Sequence, residues 1–268
     1  MPGYLTMAEG IIVKSEHEIE LMRQAGKITA GARTVAREAI KAGLTTKQID
    51  KEVHDFITKN NAYPTFLNYG GFPGSACISV NEEIIHGIPG KRVIHDGDIV
   101  SVDVGATFKG FVGDCAGTYP CGEISEDAAR LIEVTRQCFF EALKVAKEGN
   151  RISDIGRAVQ TYAESFGYGV IRDYVGHGVG HNLHEAPEVP NYVQTKLERM
   201  RNHMPDPRLV RGMTIAIEPM IAMGTYEVRV LENDWTVVTA DGRLSAHYEN
   251  SILITDGEPE ILTMAEDI

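Results

Sequence analysis

The sequence predicts an α+β protein, and three observations support this prediction. Segments with helix-capping signals are followed by runs of β-branched residues, and this order occurs twice along the 268 residues. A short internal repeat aligns the two occurrences at a constant offset. The first occurrence ends in an apolar hairpin sequence that contains two aspartates. We therefore expect two similar α-plus-β halves, and a site between them would draw ligands from both.

Two helices are predicted at the start of the first half, each marked by a capping box. Residues 15–18 (SEHE) predict a helix that runs to about Ile40, and Thr45 with Gln48 predicts a second helix that ends near Asn60. Over residues 63–90 we expect strands mixed with glycine-rich and proline-rich loops.

An apolar hairpin is predicted over residues 98–118, and the candidate chemistry depends on it. Its first strand is a β-branched run typical of a strand buried on both faces, and Asp103 lies within it. A turn at residues 109–110 leads to a second strand that carries Asp114. If the hairpin closes near Phe108 and Lys109, Asp103 stands opposite Asp114 and both side chains point to the same face.

Two carboxylates side by side in an apolar sheet repel each other and lose hydration. They must be protonated, paired with cations or bound to metal. The alternative is that Asp103 and Asp114 are loop or edge residues in water, but the residues around them are apolar. A metal site is the more specific prediction, and it requires ligands from elsewhere in the chain.

The second half is predicted to repeat the order of helices and strands. Ser125 predicts a helix to about Lys147, and Ser153 or Asp154 begins another that ends near Gly167. Strands are expected at residues 169–172, 213–218, 246–254 and 260–262. The internal repeat pairs Gly43, Ile49, Val53 and Phe56 with Gly149, Ile155, Val159 and Tyr162. Helix periodicity alone is the alternative explanation for so short a match.

Composition and charge argue against several classes of protein. A net charge of -12 and a pI near 5.2 argue against nucleic acid as the main ligand. No apolar run approaches the ~20 residues that a membrane helix needs, and the N-terminus does not resemble a secretory signal. The four cysteines form no C-x-x-C pair and are expected to be reduced thiols, which favours a cytoplasmic location.

Candidate partners for the two aspartates lie in the second half. The segment YVGHGVGHNLHE holds His177, His181 and His184, and its glycines argue against a helical zinc-binding pair. Glu218 ends an apolar strand, and Glu249 precedes another. The alternatives are a polar loop with incidental histidines and strand-end carboxylates in water.

Four carboxylates and one histidine, each in or beside apolar strand sequence, suit two divalent cations bridged by carboxylates. A single structural zinc would favour cysteine and histidine ligands, and a calcium site would show a contiguous acidic loop. One of the three histidines would join Asp103, Asp114, Glu218 and Glu249 in this predicted ligand set.

In its sequence context this set resembles the type I (bacterial-type) methionine aminopeptidases, which are pita-bread metallopeptidases. The matching segments are GHGVGHNLHE, IEPM, YEN and SVNEEIIHGIPG, and the resemblance extends from Lys14 to Leu262. It implies a pita-bread fold, in which a pseudo-two-fold antiparallel sheet carries helices on its outside. It also implies a single catalytic domain over residues 1–268, with halves of about 14–120 and 121–262.

The resemblance implies a role for each of the five ligands. Asp103 would bind one divalent cation, His177 and Glu218 the other, and Asp114 and Glu249 both. The cations would be Co, Mn, Fe or Zn, because carboxylate-rich sites accept each of them. A water activated by both cations would be the nucleophile.

The resemblance also implies three catalytic residues. Glu218 would accept and donate a proton in addition to binding metal. His184 would bind the scissile carbonyl and stabilise the tetrahedral oxyanion, and His86 would hydrogen-bond the substrate near the leaving amine.

A pocket for a methionine side chain follows from the same resemblance. A flexible thioether suits a pocket of aromatic and sulfur groups. By position, the pocket residues would be Phe66, Tyr69, Phe72, Cys77, Leu183 and Trp235. Leu183 stands where many relatives carry Phe, and Phe72 where many carry Tyr. Ordinary core packing is the alternative for each of these six residues.

The implied activity is removal of the initiator methionine from nascent proteins in the cytoplasm by a monomeric hydrolase, favouring a small second residue. A proline-directed aminopeptidase or prolidase is one alternative, although such enzymes usually carry a substantial extra N-terminal domain. A metal-free peptide-binding homologue is the other alternative, and the loss of ligands would mark it.

A basic segment at residues 194–212 lies between His184 and Glu218 and looks longer than the usual connection in the family. It carries five basic and two acidic residues, a net of +3 (five minus two), in a chain of net charge -12. Ribosomal RNA is dense in phosphate, so this segment is a candidate docking surface for the ribosome. A solvated insertion without a role is the alternative.

Overall fold

The helices begin and end close to where the capping signals predict. The computed structural model describes residues 10–202 and 205–264. The helices in that part of the chain are α1 (Glu16–Ala39), α2 (Thr46–Lys59), α3 (Glu126–Val145), α4 (Ile152–Glu164) and α5 (Lys196–Asn202). The capping box of α1 is complete, because the Ser15 N–H donates to Glu18 Oε2 at 2.7 Å and the Glu18 N–H donates to Ser15 Oγ at 3.4 Å.

The start of α4 differs from the prediction by a few residues. Arg151 occupies the N-cap position, and its N–H donates to the Asp154 carboxylate at 2.9 Å. The Ser153 N–H and hydroxyl both donate to Asp206 at 2.9 Å. Both predicted caps therefore lie inside the first turn of the helix, since a tertiary partner takes the Ser153 donors.

Strands from both halves form a nine-stranded antiparallel main sheet, and the remaining described strands form two three-stranded sheets. The strands are β1 (Tyr63–Pro64), β2 (Ala76–Val80), β3 (Glu83–Ile85), β4 (Ile99–Phe108), β5 (Phe111–Pro120), β6 (Gly169–Val170), β7 (Gly176–Gly178), β8 (Glu185–Val189), β9 (Thr214–Ile217), β10 (Met220–Ala222), β11 (Val228–Val230), β12 (Val237–Thr239), β13 (Ser245–His247), β14 (Glu249–Leu253) and β15 (Glu260–Ile261). The main sheet has the order β1-β4-β5-β14-β9-β7-β8, with β2 also on β4 and β15 on β14. The pairing of β5 with β14 joins the two halves at its centre.

The predicted register of the β4–β5 hairpin is wrong by two residues. Phe108 pairs with Phe111 across a turn at Lys109 and Gly110, so Asp103 stands opposite Ala116 and Asp114 opposite Gly105. Lys109 and Gly110 both have positive φ (48° and 83°), which suits the two central residues of a tight hairpin. Because side chains alternate with a period of two, the shift keeps both aspartates on one face, as diagonal rather than opposite neighbours.

The residues of the internal repeat occupy equivalent places in the two halves. Gly43 and Gly149 each have positive φ, at 90° and 89°, in the turn before α2 or α4. Each donates its N–H to a backbone carbonyl, that of Ile94 or Leu209. Downstream, Ile49, Ile155, Val53 and Val159 are fully buried on the inner faces of the two helices. Both copies therefore contain a turn and a helix packed on the core, beyond a shared helical periodicity.

Each helix pair covers its own part of the core. The first pair packs on β2, β4 and β5, and α3 and α4 pack against the strands of the second half. All four cysteines are buried free thiols, as expected. Within the described ranges, no helix combines the length and apolar character that crossing a membrane requires.

Arg33 of α1 is buried beneath the sheet, with 1% of its surface exposed. Its guanidinium donates to Ala116 O at 3.1 Å, Glu249 O at 3.1 Å, Asn250 Oδ1 at 3.2 Å and Thr263 O at 3.3 Å. One side chain of the first half therefore holds β5, β14 and the segment after β15 together.

Candidate metal centre

The two aspartates of the hairpin face the same space beside the central strands. Asp114 is buried, and Asp103 lies next to it on β4. Asp103 Oδ1 and Asp114 Oδ1 are both buried without a hydrogen-bond partner among the described residues. Buried carboxylate oxygens without a donor are costly, so another ligand is expected here.

The second half places His177, Glu218 and Glu249 around Asp114. His177 lies on β7, and its Nε2 is 3.6 Å from both Asp114 Oδ2 and Glu218 Oε1. Glu249 begins β14, and Asp114, His177 and Glu249 each offer a ligand atom within 4.8 Å of the others. All five predicted ligands therefore meet where β4, β5, β7, β9 and β14 converge.

The tautomer of His177 suits metal binding. Its Nδ1 lies 2.9 Å from Gly178 O, and only a protonated Nδ1 can make that hydrogen bond. The Nε2 lone pair is then directed at the carboxylates. Burial, together with the neighbouring His184, lowers the pKa of His177 to about 3, so the imidazole is neutral, as a metal ligand must be.

Within the described part of the chain, no ion pair joins a lysine or an arginine to these carboxylates. Burial raises the pKa of Asp103 to about 7. Burial, reinforced by mutual repulsion, raises the pKa of Asp114, Glu218 and Glu249 well above the usual carboxyl range. Four crowded carboxyls and one neutral imidazole are the donor set that divalent cations favour, so the residues present fit the implied metal.

His184 and His86 border this cluster. The ring centroid of His184 is 4.3 Å from that of His177, and its Nδ1 is 2.7 Å from Tyr69 Oη. His86 has a positive φ of 58°, which is strained for a residue with a side chain, and its ring packs edge-on against Tyr174. Strained backbone is often found at functional sites. His181 points elsewhere and lies against Phe111.

Four of the predicted pocket residues belong to one apolar cluster next to the carboxylates, and these are Phe66, Phe72, Cys77 and Leu183. Trp235 packs on this cluster, with its ring centroid 5.2 Å from that of Phe72. Tyr69 adjoins it through its contact with His184. Cys77 pairs with Asp103 across β2 and β4, so the pocket and the metal centre share a wall.

A buried ion pair that the sequence analysis missed supports the loop of His184. Lys14 Nζ lies 2.5 Å from Glu185 Oε2, and both side chains are 3% exposed. Glu185 Oε1 also accepts the Asn182 N–H at 3.1 Å. The two charged residues are 171 positions apart, and no local sequence signal connects them.

A second residue that the sequence analysis missed is His247, the last residue of β13. Its Nε2 is 3.8 Å from Glu218 Oε2 and 3.9 Å from Glu249 Oε2. The available signal was its spacing of two from Glu249, which predicts a shared face in extended backbone.

Comparison with known proteins gives consistent results. Residues 20–256 match the model of metallopeptidase family M24. A methionine aminopeptidase of Clostridium acetobutylicum is 55% identical over 257 residues, covering 96% of this chain and all of the relative. The crystal structure of a methionine aminopeptidase from Thermotoga maritima is 44% identical, with a TM-score of 0.90 over 96% of this chain and all of that chain.

A more distant solved structure is the prolidase of Pyrococcus furiosus. It is 25% identical with a TM-score of 0.73, and the match covers 95% of this chain but 66% of the prolidase. These likenesses confirm the α+β pita-bread fold expected from the sequence.

Proposed function

The chain belongs to metallopeptidase family M24, and on that premise we propose that it removes the N-terminal methionine from new polypeptides by metal-dependent hydrolysis. The observation that carries the proposal is the convergence of four uncompensated carboxyls and a neutral histidine beside an apolar pocket. High identity to a methionine aminopeptidase supports methionine as the released residue.

We assign the metal ligands as Asp103, Asp114, His177, Glu218 and Glu249, which together would hold two divalent cations. When bound, the cations (Co, Mn, Fe or Zn) would polarise the scissile carbonyl and lower the pKa of the attacking water. Glu218 borders the cluster, where its carboxylate can accept the proton of that water and pass it to the leaving amine.

His184 would bind the carbonyl oxygen of the substrate. When Tyr69 Oη donates to Nδ1, the Nε2 of His184 carries the proton and becomes a donor. That donor would stabilise the oxyanion as negative charge develops. His86, whose pKa burial lowers to about 4, is a neutral partner for the leaving amine.

The pocket next to these groups would hold the methionine side chain. Its walls are Phe66, Tyr69, Phe72, Cys77, Leu183 and Trp235. Its aromatic and sulfur groups suit a thioether.

The test of the proposal is release of methionine from Met-Ala and Met-Gly peptides. Protein treated with a chelator should be inactive and should recover with added Mn or Co. Leu-Ala and Leu-Pro peptides are the matched substrates. Equal cleavage of the leucine peptides would reject methionine specificity and favour a broader or proline-directed peptidase. Activity that survives complete metal removal would reject the metal-dependent mechanism.

We further propose that the protein acts as a monomer in the cytoplasm, as one catalytic domain over residues 1–268 with halves of about 14–120 and 121–262. Residues 1–9, 203–204 and 265–268 of this domain lie outside the described residues. The reduced, buried cysteines support the location.

The basic segment 194–212 is a proposed docking surface for the ribosome. Lys196 and Arg201 are exposed on α5. Arg208 donates to Gly149 O, and Arg211 forms ion pairs with Glu16 and Asp256. The cations of α5 are therefore the ones to test.

The docking test compares two double variants with the same change in charge. Lys196→Glu/Arg201→Glu should weaken co-sedimentation with ribosomes at low salt, while Lys41→Glu/Lys59→Glu, on another exposed surface, should not. Tripeptide turnover should be unchanged in both. Equal co-sedimentation of the two variants would reject the docking surface.

A further inference from the structure

His247 is a buried histidine beside the metal centre without an assigned role. It is 2% exposed, and its Nε2 makes no hydrogen bond among the described residues. The Nε2 is 3.8 Å from Glu218 Oε2 and 3.9 Å from Glu249 Oε2. The ring nitrogen is therefore directed between two of the carboxylates that we assign to the metals.

The backbone holds His247 firmly in this place. Its N–H donates to Thr118 Oγ1 at 2.8 Å, and its carbonyl accepts from the same hydroxyl at 2.9 Å. His247 also pairs with Met220 in the β10–β13 ladder, and the Tyr248 N–H donates to Pro219 O at 3.1 Å. These bonds fix the backbone of His247 relative to Glu218, which directly precedes Pro219.

The two histidines of the centre lie on opposite oxygens of Glu218. His177 Nε2 is near Oε1, and His247 Nε2 is near Oε2. A carboxylate that binds a cation through one oxygen has its other oxygen free to accept a hydrogen bond. Groups that hydrogen-bond to metal ligands in this way orient them and tune metal affinity.

Resting on the metal centre of the proposed function, we propose that His247 is a positioning residue whose Nε2–H hydrogen-bonds to the metal-binding carboxylates of Glu218 and Glu249. The gap to each oxygen exceeds a hydrogen bond by about 1 Å. Rotation of a carboxyl group about its terminal torsion, which is soft, closes such a gap. An imidazole carries an N–H on at least one ring nitrogen in either protonation state, so the His247 ring can act as a donor.

Variants can distinguish a His247 that hydrogen-bonds to the carboxylates from a His247 that binds the metal directly as a sixth ligand. His247→Gln keeps an N–H donor of similar reach, whereas His247→Leu removes it at similar volume. His181→Leu is the matched control, because His181 stacks on Phe111 and faces away from the cluster. His247→Asn, whose amide is too short to reach the carboxylates, serves if the leucine variant does not fold.

The experiment measures cobalt affinity by calorimetry and the visible absorption of the cobalt-loaded full chain. We expect His247→Leu or His247→Asn to weaken cobalt binding by about 10- to 100-fold, with His247→Gln and His181→Leu within about threefold of the unaltered protein. The cobalt absorption band of His247→Gln should keep its position, because its ligands are unchanged.

Two results would overturn the role. Unchanged affinity in His247→Leu would show that the ring does not support the centre. An equal loss in the glutamine and leucine variants, with a shifted cobalt band, would show direct coordination instead. If the unaltered protein itself neither binds cobalt nor releases methionine, the proposed function fails, and that failure is distinguishable from both results.

Discussion

Among the described residues, two kinds of buried region contain charged side chains, and they differ in how the charge is balanced. Around Arg33 and around Lys14 with Glu185, every buried charge meets carbonyl oxygens or an opposite charge from the protein itself. In the metal centre, the basic groups within 4.0 Å of the carboxylates are, among the described residues, the neutral histidines His177 and His247.

The difference distinguishes a scaffold from a binding site. Burying a charge is costly, and a fold tolerates it when partners are built in or when a ligand supplies them. In the first kind of region, groups of the protein itself balance every buried charge, and these contacts hold the sheet and the His184 loop in place. In the metal centre, bound cations balance the carboxylate charge, so the carboxylates oppose folding until those cations bind.

Glu218→Gln tests the second region and has the largest expected effect. The change keeps the shape but removes the charge and basicity, so kcat should fall at least ~100-fold, because proton transfer is lost and metal binding weakens. Steady-state kinetics with metal content measured on the same sample would check this. Near-normal turnover at full metal occupancy would contradict the assigned proton transfer.

Lys14→Met tests the first region. It leaves the Glu185 carboxylate buried without its partner, so the free energy of unfolding should fall by about 3–5 kcal/mol. Denaturant unfolding would measure it. The matched double variant Lys14→Met/Glu185→Leu removes both charges and should recover most of the loss. A double variant as unstable as the single one would show that packing, and not charge, matters at this position.

Asp103→Asn should increase the free energy of unfolding of chelated protein, whereas Lys14→Met should decrease it. The folded-state pKa of Asp103, about 7, exceeds the ordinary 3.8, so ionisation opposes folding increasingly from pH ~4 to ~7 and fully above. At pH 8 the variant should be more stable than the parent by about 4 kcal/mol, and at pH 4 the two should be nearly equal. With cobalt added, the order should reverse. Destabilisation at pH 8 without metal would remove the contrast between the regions.

Arg211→Ala should have the smallest effect of these variants on the free energy of unfolding. Arg211 forms ion pairs with Glu16 and Asp256, but all three side chains are more than half exposed. Its loss should change the free energy of unfolding by less than about 1 kcal/mol, because water screens exposed pairs. A loss as large as that of Lys14→Met would show that burial is not what separates the two pairs.

The site residues that could be predicted from the sequence are charged residues that interrupt or border apolar strand segments. Asp103 and Asp114 interrupt an apolar hairpin, and Glu218 and Glu249 border apolar strands, so each stood out in its own segment. The hairpin register was missed because the turn shifted by one residue, which moves the pairing by two. The alternation of side chains preserved the shared face despite that error.

Long-range partners were not predictable from one sequence. Lys14 and Arg33 look like ordinary surface residues until their partners, 83 to 230 positions away, are known. His247 lies two residues from Glu249, but a histidine in a strand is common, and only the fold directs its ring at Glu218. Local chemistry was readable from the sequence, whereas the compensation of charge depended on tertiary contacts.

The bonds of Arg33 have a consequence for the order in which the protein is synthesised. The guanidinium is made early, but its acceptor Thr263 O is made 230 residues later. Until then at least one donor of a buried cation has no partner, and β14, which begins with Glu249, is held less firmly. Arg33 thereby makes assembly of the centre depend on the segment after β15, so a copy of which only the first half has been translated would not yet have a finished metal site.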